Sequence, residues 1–105
     1  MNGESAGKVY FYNVTEPECP EICTKLGEAA NDEFGRSLGI SNTFAIVGSR
    51  HGFSMGLRKV YVYKMDEPGC PEVCTKTGAP SFGAAVAVGN QYAIVGEALN
   101  NEGGG

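Results

Sequence analysis

No apolar run in this 105-residue chain approaches the roughly 20 residues a membrane-spanning helix needs. Basic residues are few: eight Lys and Arg stand against twelve Asp and Glu, for a net charge of −4. The basic stripe that would track a nucleic acid backbone is therefore missing, and the mild acidity mainly favours solubility. There is one histidine, His51, with no serine or cysteine arrangement that would make it a catalytic base. No nucleophile–base pair and no convergent carboxylate pair is visible, so the residues argue against an enzyme. Met1-Asn2-Gly3-Glu4-Ser5 lacks the apolar core of a secretory leader. No segment carries the 3.6-residue periodicity of an amphipathic helix.

What the chain does have is a repeat. Lys8-Val9-Tyr10-Phe11-Tyr12 returns as Lys59-Val60-Tyr61-Val62-Tyr63. The nine residues from Pro17 to Lys25, with Cys-Pro-Glu-Ile-Cys at their centre, return from Pro68 to Lys76 with Cys-Pro-Glu-Val-Cys. Phe34-Gly35 returns as Phe82-Gly83, and Ala45-Ile46-Val47-Gly48 as Ala93-Ile94-Val95-Gly96. The period of about 50 residues is that of a propeller blade or a comparable unit, which relies on its neighbours to cover its apolar faces. An apolar content of 42% supports a packed core, and 16 glycines with 5 prolines mark a turn-rich chain.

The β-branched and aromatic content of Val9 to Val14 predicts a strand. A two-proline turn over Glu16 to Pro20 and a short strand over Ile22 to Leu26 follow. A hairpin is expected from Phe34 to Ile40 and Phe44 to Gly48 around Ser41-Asn42. It recurs as Phe82 to Val88 and Tyr92 to Gly96 around Gly89-Asn90, residues that accept positive φ. Gly27 to Asp32 and Ser49 to Arg58 read as loops. Four short strands per unit of this length select an all-β propeller over a sandwich or barrel.

In this order and spacing, Phe34-Gly35, the hairpin, Ala45 to Gly48 and Lys59 to Tyr63 resemble the FG-GAP repeat, the blade unit of integrin-α-type β-propellers. Phe82-Gly83 and Ala93 to Gly96 match it again, so the resemblance covers nearly the whole chain. It implies blades of four antiparallel strands used in extracellular adhesion, ligand display or structural arrays. Many members of that family carry an acidic calcium loop between the first two blade strands. Calcium takes about six to eight oxygen ligands, which Ser41-Asn42 and Gly89-Asn90 do not supply. Asn31-Asp32-Glu33 reads as a solvated loop, and no cofactor is expected.

Registered on the blade, residues 8–26 form a half-blade holding the last two strands. Residues 33–77 form a full blade, and residues 81–96 a half-blade holding the first two strands. The half-blades are complementary. This predicts a homo-oligomer in which the terminal strands of one copy complete those of the next, and two, three or four copies would close four, six or eight blades. Heterologous contacts of this kind give rings or filaments. The competing expectation is a fragment of a larger self-closed propeller.

Four cysteines allow three pairings. Repeat symmetry favours Cys19–Cys23 and Cys70–Cys74. Residues four apart in a strand are about 13 Å apart, so these local bonds require the chain to bend at Pro20 and Pro71. A zinc site of all four cysteines competes, but the spacing has three intervening residues where zinc ribbons usually have two. Disulfides place the chain outside the cell or on its surface, cut from a longer secreted parent with Met1 as an added start; reduced thiols in a cytosolic protein are the alternative. Asn13-Val14-Thr15 is a glycosylation sequon. Arg50, His51, Phe53 and Met55 form a candidate contact loop. Tyr10, Tyr12, Tyr61 and Tyr63 read as packing residues rather than a sugar platform. The expected function is a non-enzymatic structural or adhesion module with a lectin-like or protein-ligand-binding propeller as the alternative, its ligand being a protein or a glycan.

Overall fold

A computed structural model describes residues 7–28, 33–50, 58–78 and 82–97. These residues are all-β. The strands are β1 (Lys8–Tyr12), β2 (Glu21–Leu26), β3 (Ser37–Ile40), β4 (Phe44–Arg50), β5 (Arg58–Lys64), β6 (Glu72–Gly78), β7 (Phe82–Val88) and β8 (Ala93–Glu97). They form three antiparallel sheets: β1-β2, β3-β4-β5-β6 and β7-β8. Among the described residues no helix is long and apolar enough to cross a membrane.

The repeat in sequence is a repeat in backbone. β1 pairs β2 with a register shift between Phe11 and Tyr12, and β5 pairs β6 with the same shift between Val62 and Tyr63. The two β-hairpin loops close alike. Asn13 N donates to Pro20 O at 2.9 Å, and Lys64 N to Pro71 O at 2.9 Å. Glu18 and Cys19 take φ of 67° and 47°, while Gly69 and Cys70 take 79° and 49°. The second copy thus has glycine at a left-handed position where the first holds a glutamate.

Several expected boundaries shift: β1 ends at Tyr12 rather than Val14, β2 begins at Glu21 rather than Ile22, and β8 begins at Ala93 rather than Tyr92. The strand expected from Phe34 begins at Ser37, because Phe34 and Gly35 turn, with the Gly35 and Arg36 amides donating to Gly48 O at 3.0 and 3.1 Å. Arg50, expected in a loop, ends β4 opposite Arg58. His51, Phe53 and Met55 lie outside the described residues.

Sheets stack face to face, and both junctions use one device. Gly35 has φ of 96°, and a Cβ there would lie 3.0 Å from Val9 Cγ2. Gly83 has φ of 85°, and a Cβ there would lie 3.1 Å from Val60 Cγ1. Val60 is the repeat counterpart of Val9, so the glycine of each sheet abuts the same valine of the preceding one. Gly35→Ala combines left-handed strain with overpacking and is expected to cost about 2 kcal/mol, read as a lowered urea midpoint at unchanged slope. Between the first two sheets Val9, Phe11, Phe34, Ala45, Val47, Tyr61, Tyr63 and Cys70 form the core. Phe34 meets Tyr61 edge-on at 5.3 Å, and Phe11 meets Tyr63 at 6.0 Å. Such pairs add about 0.5–1.5 kcal/mol beyond burial.

Candidate functional site: an incomplete sheet at each end

Among the described residues the first and third sheets hold two strands each where the second holds four. By repeat position β1-β2 corresponds to β5-β6, and β7-β8 corresponds to β3-β4. In the complete sheet β4 pairs β5, with Ala45 opposite Tyr63, Val47 opposite Tyr61 and Ser49 opposite Lys59. The corresponding edges, β8 and β1, have no partner strand among the described residues.

Burial follows this difference. Tyr61 and Tyr63 are 4% and 5% exposed, while their counterparts Tyr10 and Tyr12 are 50% and 53% exposed. Ile46 is 1% exposed and its counterpart Ile94 is 70% exposed. Chemically matched side chains at matched backbone positions are exposed where, among the described residues, neither a partner strand nor a further sheet stands beside them. Exposed apolar side chains are what an interaction surface presents, and an unpaired edge is a template for another strand.

A groove of about 260 Å³ lies beside β1, between it and the face of the four-stranded sheet that carries Leu38, Ile40, Ala45 and Val47. Leu38 and Ile40 are exposed there. At the other junction β7 packs across β3 and β4. The groove is therefore where a preceding β7-β8 pair would stand by the same repeat relation.

Tyr63 sits where the first and second sheets meet. Burial, then Glu72 and Glu28, push its phenol well above the ordinary tyrosine range. The unfolded chain ionises near pH 10, so this raised group stabilises the fold below that pH. The contribution is lost as pH rises past 10 toward the folded-state value. Tyr63→Phe is expected to flatten the decline in melting temperature above pH 10.

The favoured local cysteine pairing is corrected. Cys23 is bonded to Cys70 with Cα atoms 6.4 Å apart, and Cys19 and Cys74 are exposed thiols. The chain does turn at Cys19 and Cys70, with φ of 47° and 49°, yet neither turn holds a local bond. Pro20 and Pro71 carbonyls already close the hairpins, and the next residues, Glu21 and Glu72, enter extended strands. The turn cysteine Cys70 instead reaches across a junction: it is 1% exposed and joins Cys23 of the preceding sheet. Lys25 spans the same junction, donating to Gly69 O at 2.9 Å with its ammonium 5.1 Å from the Tyr63 ring centroid.

The remaining sites fall on this frame as follows. Asn13 is half-buried, and its Oδ1 accepts from Thr15 N at 2.9 Å and Thr15 Oγ at 2.6 Å in a local turn. Phe34-Gly35 sits in the core junction, whereas Phe82 is half-buried. The junction between sheets, rather than either turn loop, was the feature sequence reasoning missed; its signal was the placement of one cysteine in the turn and one in the strand of each copy. No family model, curated protein or solved structure matches this chain.

Proposed function

We propose that the protein is an extracellular, non-enzymatic structural or adhesion module whose half-sheets pair head to tail. Each β7-β8 pair joins the β1-β2 pair of the next copy into a four-stranded blade, and successive blades build a propeller of the FG-GAP type or a filament. The observation that carries this reading is the burial contrast between Tyr61 and Tyr63 and their counterparts Tyr10 and Tyr12. The β4-β5 register, transferred by repeat position, sets Ala93 opposite Tyr12 of the next copy, Val95 opposite Tyr10 and Glu97 opposite Lys8. The last pair replaces Ser49 opposite Lys59, and opposed charges across strands contribute roughly 0.2–1 kcal/mol. A disulfide is consistent with an oxidising compartment, and the Asn13 sequon belongs with it.

Absolute mass by light scattering tests the assembly. A two-, three- or four-fold multiple of the 11.0 kDa chain is expected for closed rings, and a broad high-mass species for filaments. A single-chain mass that persists at high concentration counts against the reading. A second reading, a glycan-binding surface, is favoured by the stacked Tyr10–Tyr12 pair, with ring centroids 6.4 Å apart and planes 13° apart. Glycan capture by a single-chain species would support it.

A further inference from the structure

We propose that Cys74 of one copy and Cys19 of the next form a disulfide that repeats the Cys23–Cys70 bond and makes the assembly covalent. The inference rests on the head-to-tail reading, and its partner is a second copy of this chain.

Cys70 is the repeat counterpart of Cys19, and Cys74 of Cys23. The internal bond joins the strand cysteine of one sheet to the turn cysteine of the next. This leaves a turn cysteine on the first sheet, Cys19, and a strand cysteine on the second, Cys74, both exposed. The leftover thiols are thus a complementary pair rather than two alike.

Both are already held in the geometry of their bonded counterparts. Cys19 N donates to Glu16 O at 3.1 Å and Cys70 N to Glu67 O at 3.0 Å. Their φ angles are 47° and 49°. Cys23 stands opposite Phe11 and Cys74 opposite Val62, each just before the same register shift. The bridging lysine recurs as well. Lys76 corresponds to Lys25, Glu18 O to Gly69 O, and Tyr12 to Tyr63, so Lys76 is placed to reach Glu18 O and the Tyr12 ring of the next copy. One contact does not recur: Lys59 binds Glu28 at 3.0 Å, and the counterpart of Glu28 is Ala79. An exposed pair of this kind contributes little to a junction.

The reaction requires a disulfide oxidant such as oxidised glutathione. One cysteine thiolate attacks a sulfur of the oxidant, which forms a mixed disulfide and releases one glutathione thiolate. The other cysteine thiolate then attacks the protein sulfur and expels the second. Two protein thiols lose two protons and two electrons, and one glutathione disulfide becomes two thiols.

The test mixes Cys19→Ser with Cys74→Ser in a glutathione redox buffer, so that neither variant holds both thiols. Non-reducing electrophoresis and peptide mass spectrometry are expected to show a covalent dimer joined through Cys74 and Cys19. Docking raises the local thiol concentration, so its yield should exceed self-crosslinking of either variant by about tenfold or more. The Cys19→Ser/Cys74→Ser double variant is followed in parallel by light scattering. If it assembles while the mixture gives no Cys74–Cys19 bond, or equal amounts of all dimers, the disulfide is overturned and the assembly stands. If it remains a single chain at high concentration and the mixture does not crosslink, both are overturned.

Discussion

For chains pairing head to tail as proposed above, Ile94→Asp is expected to leave single chains of 11.0 kDa. In the isolated chain Ile94 is 70% exposed, so the substitution should leave the fold intact. Its counterpart Ile46 is 1% exposed beneath the neighbouring sheet, and in the assembly Ile94 would be covered in the same way. Two losses then combine. Burial of the isoleucine side chain, worth about 1.5–3 kcal/mol, disappears, and an unpaired carboxylate must be desolvated or protonated. Together they weaken each junction by roughly a thousandfold or more, since about 1.4 kcal/mol is a factor of ten. Sedimentation over a concentration series reads the effect, and circular dichroism confirms that the variant is folded. An Ile94→Asp protein that assembles like the wild type would place the interface elsewhere.

Removing the Cys23–Cys70 bond is expected to give the largest loss of stability. The two cysteines are separated by 47 residues in sequence. A cross-link over a loop of that length restricts the unfolded chain by roughly 4 kcal/mol in the chain-entropy account. For a chain of this size the loss corresponds to a fall in melting temperature of roughly 15 °C. Alanine is the appropriate replacement at both positions, because Cys70 is 1% exposed and a serine hydroxyl there would be buried. Calorimetry of Cys23→Ala/Cys70→Ala in the Ile94→Asp background isolates the single chain from assembly. Cys19→Ser/Cys74→Ser in the same background should melt within about 2 °C of its parent, since exposed substitutions usually change stability by no more than about 0.5 kcal/mol.

Most of the strand pattern was legible because β-branched and aromatic residues coincide with the strands and Gly-Asn sits at a turn. Where the reading extended a strand too far, at Phe34, left-handed Gly35 breaks the extended backbone before β3 begins. The cysteine pairing was not legible from symmetry alone, since bonds within units and bonds between consecutive units both respect the repeat. The discriminating fact is conformational. Strand geometry from Glu21 onward keeps Cys23 away from Cys19 and turns it toward the next sheet. The functional surface was legible only as an expectation about missing strands. What the fold adds is a reference within the same molecule, a complete sheet in which Tyr61, Tyr63 and Ile46 show how Tyr10, Tyr12 and Ile94 look once covered.

The glycine–valine contact at each junction has a consequence for the size distribution of the proposed assembly. Where Gly35 meets Val9 and Gly83 meets Val60, backbone rests so close to a branched side chain that a methyl group there would lie 3.0 and 3.1 Å from it. A joint that tight has little angular play. A chain of such joints accumulates direction rather than randomising it, so the mean rotation per step decides whether the last sheet returns to the first. A loose joint would yield a mixture of closed and open species at any concentration. A stiff one selects a single closure number if the rotation divides a full circle, and otherwise an open helix of regular pitch.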